Sequence, residues 1–324
     1  MKRYLAAAIA ALSLVPGAVA QRAMVIPASL QLGDSVAIIS PASHPNPADI
    51  DSACVAISNW GYVPVRGRYV TGKLGTFAGT IEERLSDLRW AFESPGIKAI
   101  ICGRGGYGCV QLLCELPDGY FARHPKWLAG YSDISALHAA LTTQSVMSIH
   151  SHMCGPIGHN GGSDSLSLML RSILEGRYPG YSVAPHKLNH CGIATGTLIG
   201  GNLAVLNDLA GSRYDITKID GAILFLEDVN ESHEALSRAL YRLKCAGVLG
   251  RLRGIIFGQF THARHNLHYS STEEMIAEIV RGYDIPVCYN FPVGHVDNNV
   301  PLIEGAPVTL TVAPKGVTLS YHIR

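Results

Sequence analysis

Charge is scarce in this chain of 324 residues and evenly signed: 16% of the residues are charged, with 26 basic against 25 acidic and a net charge of +1. That balance gives no basic face for nucleic acid and no electrostatic reason to bind a membrane surface. No Cys-x-x-Cys pair occurs among the eight cysteines, which removes the thioredoxin and zinc-ribbon readings. There is no internal repeat and no low-complexity stretch. The apolar run from Tyr4 to Val15 is too short to span a bilayer as a mature helix. It follows Lys2 and Arg3 and precedes Pro16-Gly17 and the small-x-small triplet Ala18-Val19-Ala20. These features predict a signal peptide over residues 1–20 that is cleaved after Ala20. No Cys stands at the cut, so the expected product is periplasmic or secreted, with no membrane anchor after cleavage.

What the chain does have is apolar bulk and many turns. Hydrophobic residues make up 48% of it, enough for a sizeable core and about two domains. The 34 Gly and 17 Pro fit short strands alternating with helices. Apolar β-branched runs at 35–40, 97–102, 127–130 and 221–226 predict buried strands. Helical spacing follows at 49–60, 80–93, 108–116, 134–142 and 234–246. Strand–helix alternation predicts an α/β fold with parallel sheets covered on both faces. The pattern weakens between Gly155 and His190, so the domain expectation is 28–155, a crossing linker over 156–191 with a short helix near 166–174, and 192–324. An exported chain permits disulfides, but most cysteines lie in apolar segments such as Ile101-Cys102 and Lys244-Cys245-Ala246, which predicts buried free thiols for the majority.

Three polar residues stand where apolar runs end, the place where open parallel sheets put their ligands. Ser132 lies between a strand and the helix from Ile134, Glu227 ends the 222–226 strand, and His295 sits in the loop Phe291-Pro-Val-Gly-His-Val-Asp. A serine hydroxyl needs a base within hydrogen-bond reach, and the base needs an acceptor to fix its tautomer. The three supply those types, and spacing alone does not bring them together. Gly103-Arg-Gly-Gly-Tyr-Gly108 matches G-x-G-x-x-G. It is not on the first strand–helix–strand unit and no ribose-binding acid follows, so a dinucleotide cofactor is not expected and an oxyanion hole is the other use of such a loop. His150-Ser-His152 with His159, and His262-x-x-His265-x-x-His268, raise the question of metal. Neither has a convincing carboxylate or Cys partner, so no metal is expected. His138, six residues after Ser132 on a helix, points away from the nucleophile's face.

Six blocks taken together resemble the L,D-carboxypeptidase family of serine peptidases, which includes murein tetrapeptide carboxypeptidases and microcin-immunity peptidases. They are Gly33–Ser43, Arg104-Gly-Gly-Tyr-Gly108, Gly130-Tyr-Ser-Asp-Ile-Ser135, Gly200-Gly-Asn-Leu203, Leu226-Glu-Asp-Val229 and Gly294-His295, in the family's order. The resemblance implies Ser132 as nucleophile, Glu227 as acid and His295 as base. It also implies an oxyanion hole from the amides of Gly106 and Asp133, and no cofactor. The implied architecture is an N-terminal flavodoxin-like domain and a smaller C-terminal α/β domain with the site between them, commonly in a homodimer. The implied substrates are peptidoglycan stem peptides, from whose diamino acid D-alanine is released. Arg104 is the cation of the glycine loop and, with Tyr107, a candidate contact for the substrate's terminal carboxylate. Two features depart from the family picture: an exported chain where murein-recycling members are cytoplasmic, and His150-Ser-His-Met where relatives have a His-Gly-Pro-like turn. The competing readings are a peptidase acting on a nucleotide–peptide conjugate, an α/β-hydrolase, and a non-catalytic peptide-binding protein. The α/β-hydrolase reading lacks the second glycine of G-x-S-x-G at Gly130-Tyr-Ser-Asp-Ile134.

Overall fold

A computed structural model describes residues 23–264 and 268–323. The leader expected over 1–20 and His265 of the second histidine cluster lie outside the described residues. In the first half, β1 (Ser35–Ile39), β2 (Val63–Arg66), β3 (Ile97–Cys102), β4 (Trp127–Gly130) and β5 (Ser148–His150) alternate with helices. The helices are α1 (Pro47–Asn59), α2 (Ile81–Glu93), α3 (Cys109–Cys114), α4 (Tyr120–Arg123) and α5 (Ser135–Thr143). The middle of the chain carries α6 (Cys154–His159), α7 (Ser165–Leu174) and β6 (Tyr181–Val183). The second half follows as β7 (Gly192–Asn202), α8 (Leu203–Asp208), β8 (Ile223–Val229), α9 (His233–Cys245), β9 (Gly254–Thr261) and α10 (Thr272–Val280). It closes with β10 (Val287–Cys288), β11 (Leu302–Glu304), β12 (Pro307–Ala313) and β13 (Gly316–Tyr321).

Local chemistry sets where the helices begin. Asn46 accepts a hydrogen bond from the Ala48 amide and Pro47 opens α1, a position where its missing N–H costs nothing. Thr80 and Glu83 form a reciprocal capping box on α2. The strands between are buried on both faces: every residue of β4, and all but Lys98 of β3. Such strands need helices on either side. They pair in the order β11-β5-β4-β3-β1-β2. Without β11 this is the flavodoxin-like 2-1-3-4-5 order, which places ligands at the carboxyl ends of its strands. Ser132 and the Gly103–Gly108 loop leave from those ends. The second sheet, β10-β9-β8-β7-β12-β13-β6, is parallel across β7 to β10 and antiparallel beyond.

Two buried clusters each run across both sheets. Leu137 and Ala140 of α5 belong to the same buried cluster as Leu203 and Leu206 of α8, and the Asn202 amide donates to Ser135 Oγ at 3.0 Å. Strand β11, late in the chain, returns to the first sheet and pairs antiparallel with β5. The carboxyl end of β8 is thereby held beside that of β4. Of the cysteines, all eight are free. Cys102, Cys109, Cys154 and Cys288 are buried, half of the eight rather than the majority expected, whereas Cys114, Cys191 and Cys245 are exposed, Cys245 against expectation, and Cys54 is half-buried. Cys114 and Cys245 end helices on their outer turns, where apolar neighbours in sequence do not mean apolar neighbours in space.

Strand β11 also buries a carboxyl group. Glu304 is fully buried opposite Ser148, and burial pushes its pKa well above the ordinary range, opposed in part by the Gly200 amide. An acid whose folded pKa is raised contributes stability that is complete below its unfolded value and is lost as pH rises. Glu304→Gln should therefore raise the melting temperature by about 2 °C or more at pH 8 and change it little at pH 4. Thermal denaturation of both proteins at the two pH values checks this.

Candidate active site

Ser132 leaves β4 through a turn in which its own φ is +66°. A residue bearing a side chain rarely adopts this conformation, and it persists only where packing enforces it. The strained turn lifts the hydroxyl out of the sheet, and a short 3-10 turn then leads into α5. Glu227 lies near the end of β8, fully buried. His295 reaches it because the preceding residue has no side chain. Gly294 has φ +119°, and a Cβ there would stand 2.8 Å from Glu227 Oε2, so only glycine lets the loop lie on the carboxylate. The Gly294 amide donates to Asn299 Oδ1 at 2.9 Å, which pins the loop from the other side.

The result is a line of three groups. His295 Nδ1 lies 2.7 Å from Glu227 Oε2, and His295 Nε2 lies 3.0 Å from Ser132 Oγ. A carboxylate only accepts, so Nδ1 carries the proton and Nε2 is left to accept from the serine hydroxyl. The structure thus joins residues separated by 163 positions in sequence. Tyr131, which sequence reasoning did not single out, places its ring 4.9 Å from that of His295. Its position next to Ser132 was the available signal.

The glycine loop closes over Ser132. A Cβ on Gly105 would lie 2.9 Å from Ser132 Cβ, and one on Gly106, whose φ is +104°, would collide with Ser43 Oγ. Ser43 fixes the loop by donating its amide to the Gly105 carbonyl at 3.0 Å and accepting from the Tyr107 amide at 3.2 Å. The Asp133 carboxylate accepts from the Cys109 amide at 2.8 Å, tying the Ser132 turn to the start of α3. Burial raises the pKa of Asp133, and this amide bond and the nearby Arg84 charge oppose the rise. Gly106, Tyr107 and Asp133 line one cavity of about 130 Å³ with Val110, Val205 and Asp208. Arg104 does not join them: it is exposed, donates to the His44 carbonyl at 3.2 Å, and lines neither this cavity nor the one beside His295.

That second cavity, about 520 Å³, is walled by Tyr131, His152, His159, Asp164, His295 and Asp297. Burial lowers the pKa of His152, with the Asp164 and Asp297 charges opposing it. His150 does not face this space. It is fully buried with Tyr131 and Phe225 rings 5.8 and 5.2 Å away, and burial holds it well below the usual imidazole range. Among the described residues no group of three His, Cys, Asp or Glu is arranged to hold a metal ion. His138 is held by Ser148 Oγ at 2.8 Å and the Gly130 carbonyl at 2.9 Å, and burial brings its pKa down to about 4. It braces the backbone beside the Ser132 turn as a neutral ring.

A hydroxyl, an imidazole and a buried carboxylate linked in that order beneath a glycine loop define the class, a hydrolase. Sequence models of the LD-carboxypeptidase N-terminal and C-terminal domains match residues 36–151 and 195–310. The chain belongs to the LD-carboxypeptidase family and is a carboxypeptidase. A murein tetrapeptide carboxypeptidase of Pseudomonas aeruginosa is 33% identical over 280 residues, 82% of this chain and 89% of that protein. The crystal structure of a muramoyltetrapeptide carboxypeptidase from Oxalobacter formigenes superposes with a TM-score of 0.79 at 28% identity, covering 89% of this chain and 98% of that one. The microcin C7 self immunity protein shares the fold, with a TM-score of 0.79 at 22% identity over 91% of this chain and 98% of that one.

Proposed function

We propose that this protein is a serine L,D-carboxypeptidase that removes the terminal D-alanine from murein tetrapeptides by a Ser132–His295–Glu227 triad. The observation that carries the reading is the unbroken pair of hydrogen bonds from Glu227 through His295 to Ser132. His295 takes the Ser132 proton as Oγ attacks the carbonyl of the diamino acid. Glu227 holds the imidazolium that forms. The Gly106 and Asp133 amides receive the developing oxyanion. D-Alanine leaves with the proton from His295, and water activated by the same imidazole releases the acyl group.

One cavity borders the proposed oxyanion residues and a second borders His295, and together they suit a small leaving group and an amine-bearing acyl side. The space at Gly106 and Asp133 is the smaller of the two, about 130 Å³. The larger one carries Asp164 and Asp297, which complement the ammonium of a diamino acid. The name of the Pseudomonas relative supports a murein substrate, and the leader expected over residues 1–20 makes envelope peptidoglycan its source. A homodimer, as the family resemblance implies, is part of the same proposal.

Mass spectrometry of murein tetrapeptide incubated with the purified protein tests it. Loss of one terminal D-alanine is the expected result. An intact tetrapeptide, with cleavage of a nucleotide–peptide conjugate instead, would overturn the substrate.

A further inference from the structure

We propose that Arg84 is a positioning residue for the oxyanion side of the site, acting through the Gly103–Gly108 loop and Asp133. The inference rests on the Ser132 reading above and extends it to a residue that touches neither substrate nor triad. Arg84 lies on α2 with only 2% of its surface exposed. Burying a guanidinium is costly unless each face finds a partner, and here the partners are main-chain carbonyls of three loops and the Gln111 side chain. Nη1 donates to the Pro41 carbonyl at 2.8 Å and the Gly108 carbonyl at 3.0 Å. Nε donates to Gly79 at 3.3 Å and Nη2 to Gln111 Oε1 at 2.6 Å. The guanidinium carbon sits 5.0 Å over the Phe77 ring, which in turn packs 5.7 Å from Tyr107.

Those loops are the ones that shape the glycine loop. Pro41 leads to Ser43, which brackets Gly105 and Tyr107, and Gly108 precedes the Cys109 amide held by Asp133. The Arg84 and Asp133 charges also stabilise each other across this turn. One planar fork therefore fixes both ends of the segment carrying the Gly106 amide relative to the turn carrying the Asp133 amide. Lysine carries the same charge on one nitrogen and lacks the fork needed to hold four acceptors in a plane. An oxyanion donor acts only when its N–H is already aimed at the developing charge, so loosening this segment should weaken transition-state binding and leave substrate binding alone.

The test compares native protein with Arg84→Lys and Ser43→Ala on murein tetrapeptide, with Ser132→Ala as the dead control. All are measured well below each variant's melting temperature. Arg84→Lys should lower kcat about 10- to 100-fold with KM within about threefold, because displacing a reacting group by roughly an ångström costs on that order. Ser43→Ala, which removes the Tyr107 contact and leaves the buried cation in place, should show the same kcat-only loss. A folded Arg84→Lys protein with native kcat, or a loss confined to KM or to melting temperature, would overturn the inference. Failure of the triad reading looks different: Ser132→Ala would itself turn over substrate at the native rate.

Discussion

Ser132→Ala should lower kcat for D-alanine release by about four orders of magnitude or more, with KM close to native, since removing the nucleophile of a serine hydrolase costs up to about a millionfold. The hydroxyl is the group that His295 Nε2 addresses at 3.0 Å, so alanine leaves the base with no proton to take. Binding should survive, because Ser132 lines neither of the two cavities proposed to hold the substrate. Folding should survive as well. The backbone at position 132 keeps its φ of +66° under the packing of Ile134 and α5, and alanine meets the same steric demand as serine. A fluorophosphonate probe gives an independent readout: it should add its mass to the native protein at Ser132 and leave the variant unlabelled. Turnover by the variant within tenfold of native would remove Ser132 from the mechanism and leave His295 as base for a directly attacking water.

The site was legible in the sequence where chemistry sits at the end of a buried strand. Apolar runs gave β3 and β4 their bounds residue for residue and β1 to within one, and the residues after them are Gly103 and the turn to Ser132. Glu227 stood out as an acid closing a strongly apolar strand. Their convergence was not legible, because it depends on α5 packing against β7 and α8 and on β11 crossing back to the first sheet. Leu302–Glu304 is a strand of three residues with no alternation, and nothing local says that it pairs with β5. The residues that align the site were hidden for a related reason. Arg84 sits in Glu-Glu-Arg on a helix with charges between its apolar positions, and its burial follows from carbonyls 43 and 24 positions away. Arg104 was the opposite case: a cation in the glycine loop that is exposed and donates to the His44 carbonyl.

Glu227→Gln should reduce kcat by about 1,000- to 10,000-fold, the range seen when the acid of a triad becomes an amide. The native carboxylate accepts from His295 Nδ1 at 2.7 Å, which puts the proton on Nδ1 and the lone pair on Nε2 toward Ser132. Glutamine can keep that geometry through its amide oxygen, but it brings no charge to stabilise the imidazolium. In its flipped orientation it donates to Nδ1 and enforces the wrong tautomer. The neighbouring acid cannot substitute. Asp228 points to the opposite face of β8, where it accepts from Asn202 Nδ2 at 3.0 Å and the amides of Ala204 and Val229 at 2.9 and 2.8 Å, and burial raises its pKa to about 6. Stability should move the other way from activity. Glu227 is fully buried and its Oε1 has no hydrogen-bond partner, so replacing a buried charge by a neutral isostere should leave the melting temperature equal or higher. Steady-state kinetics with a thermal melt on the same preparation decides the point: a loss of kcat without a loss of stability assigns Glu227 to the reaction, whereas parallel losses would make it a structural carboxylate.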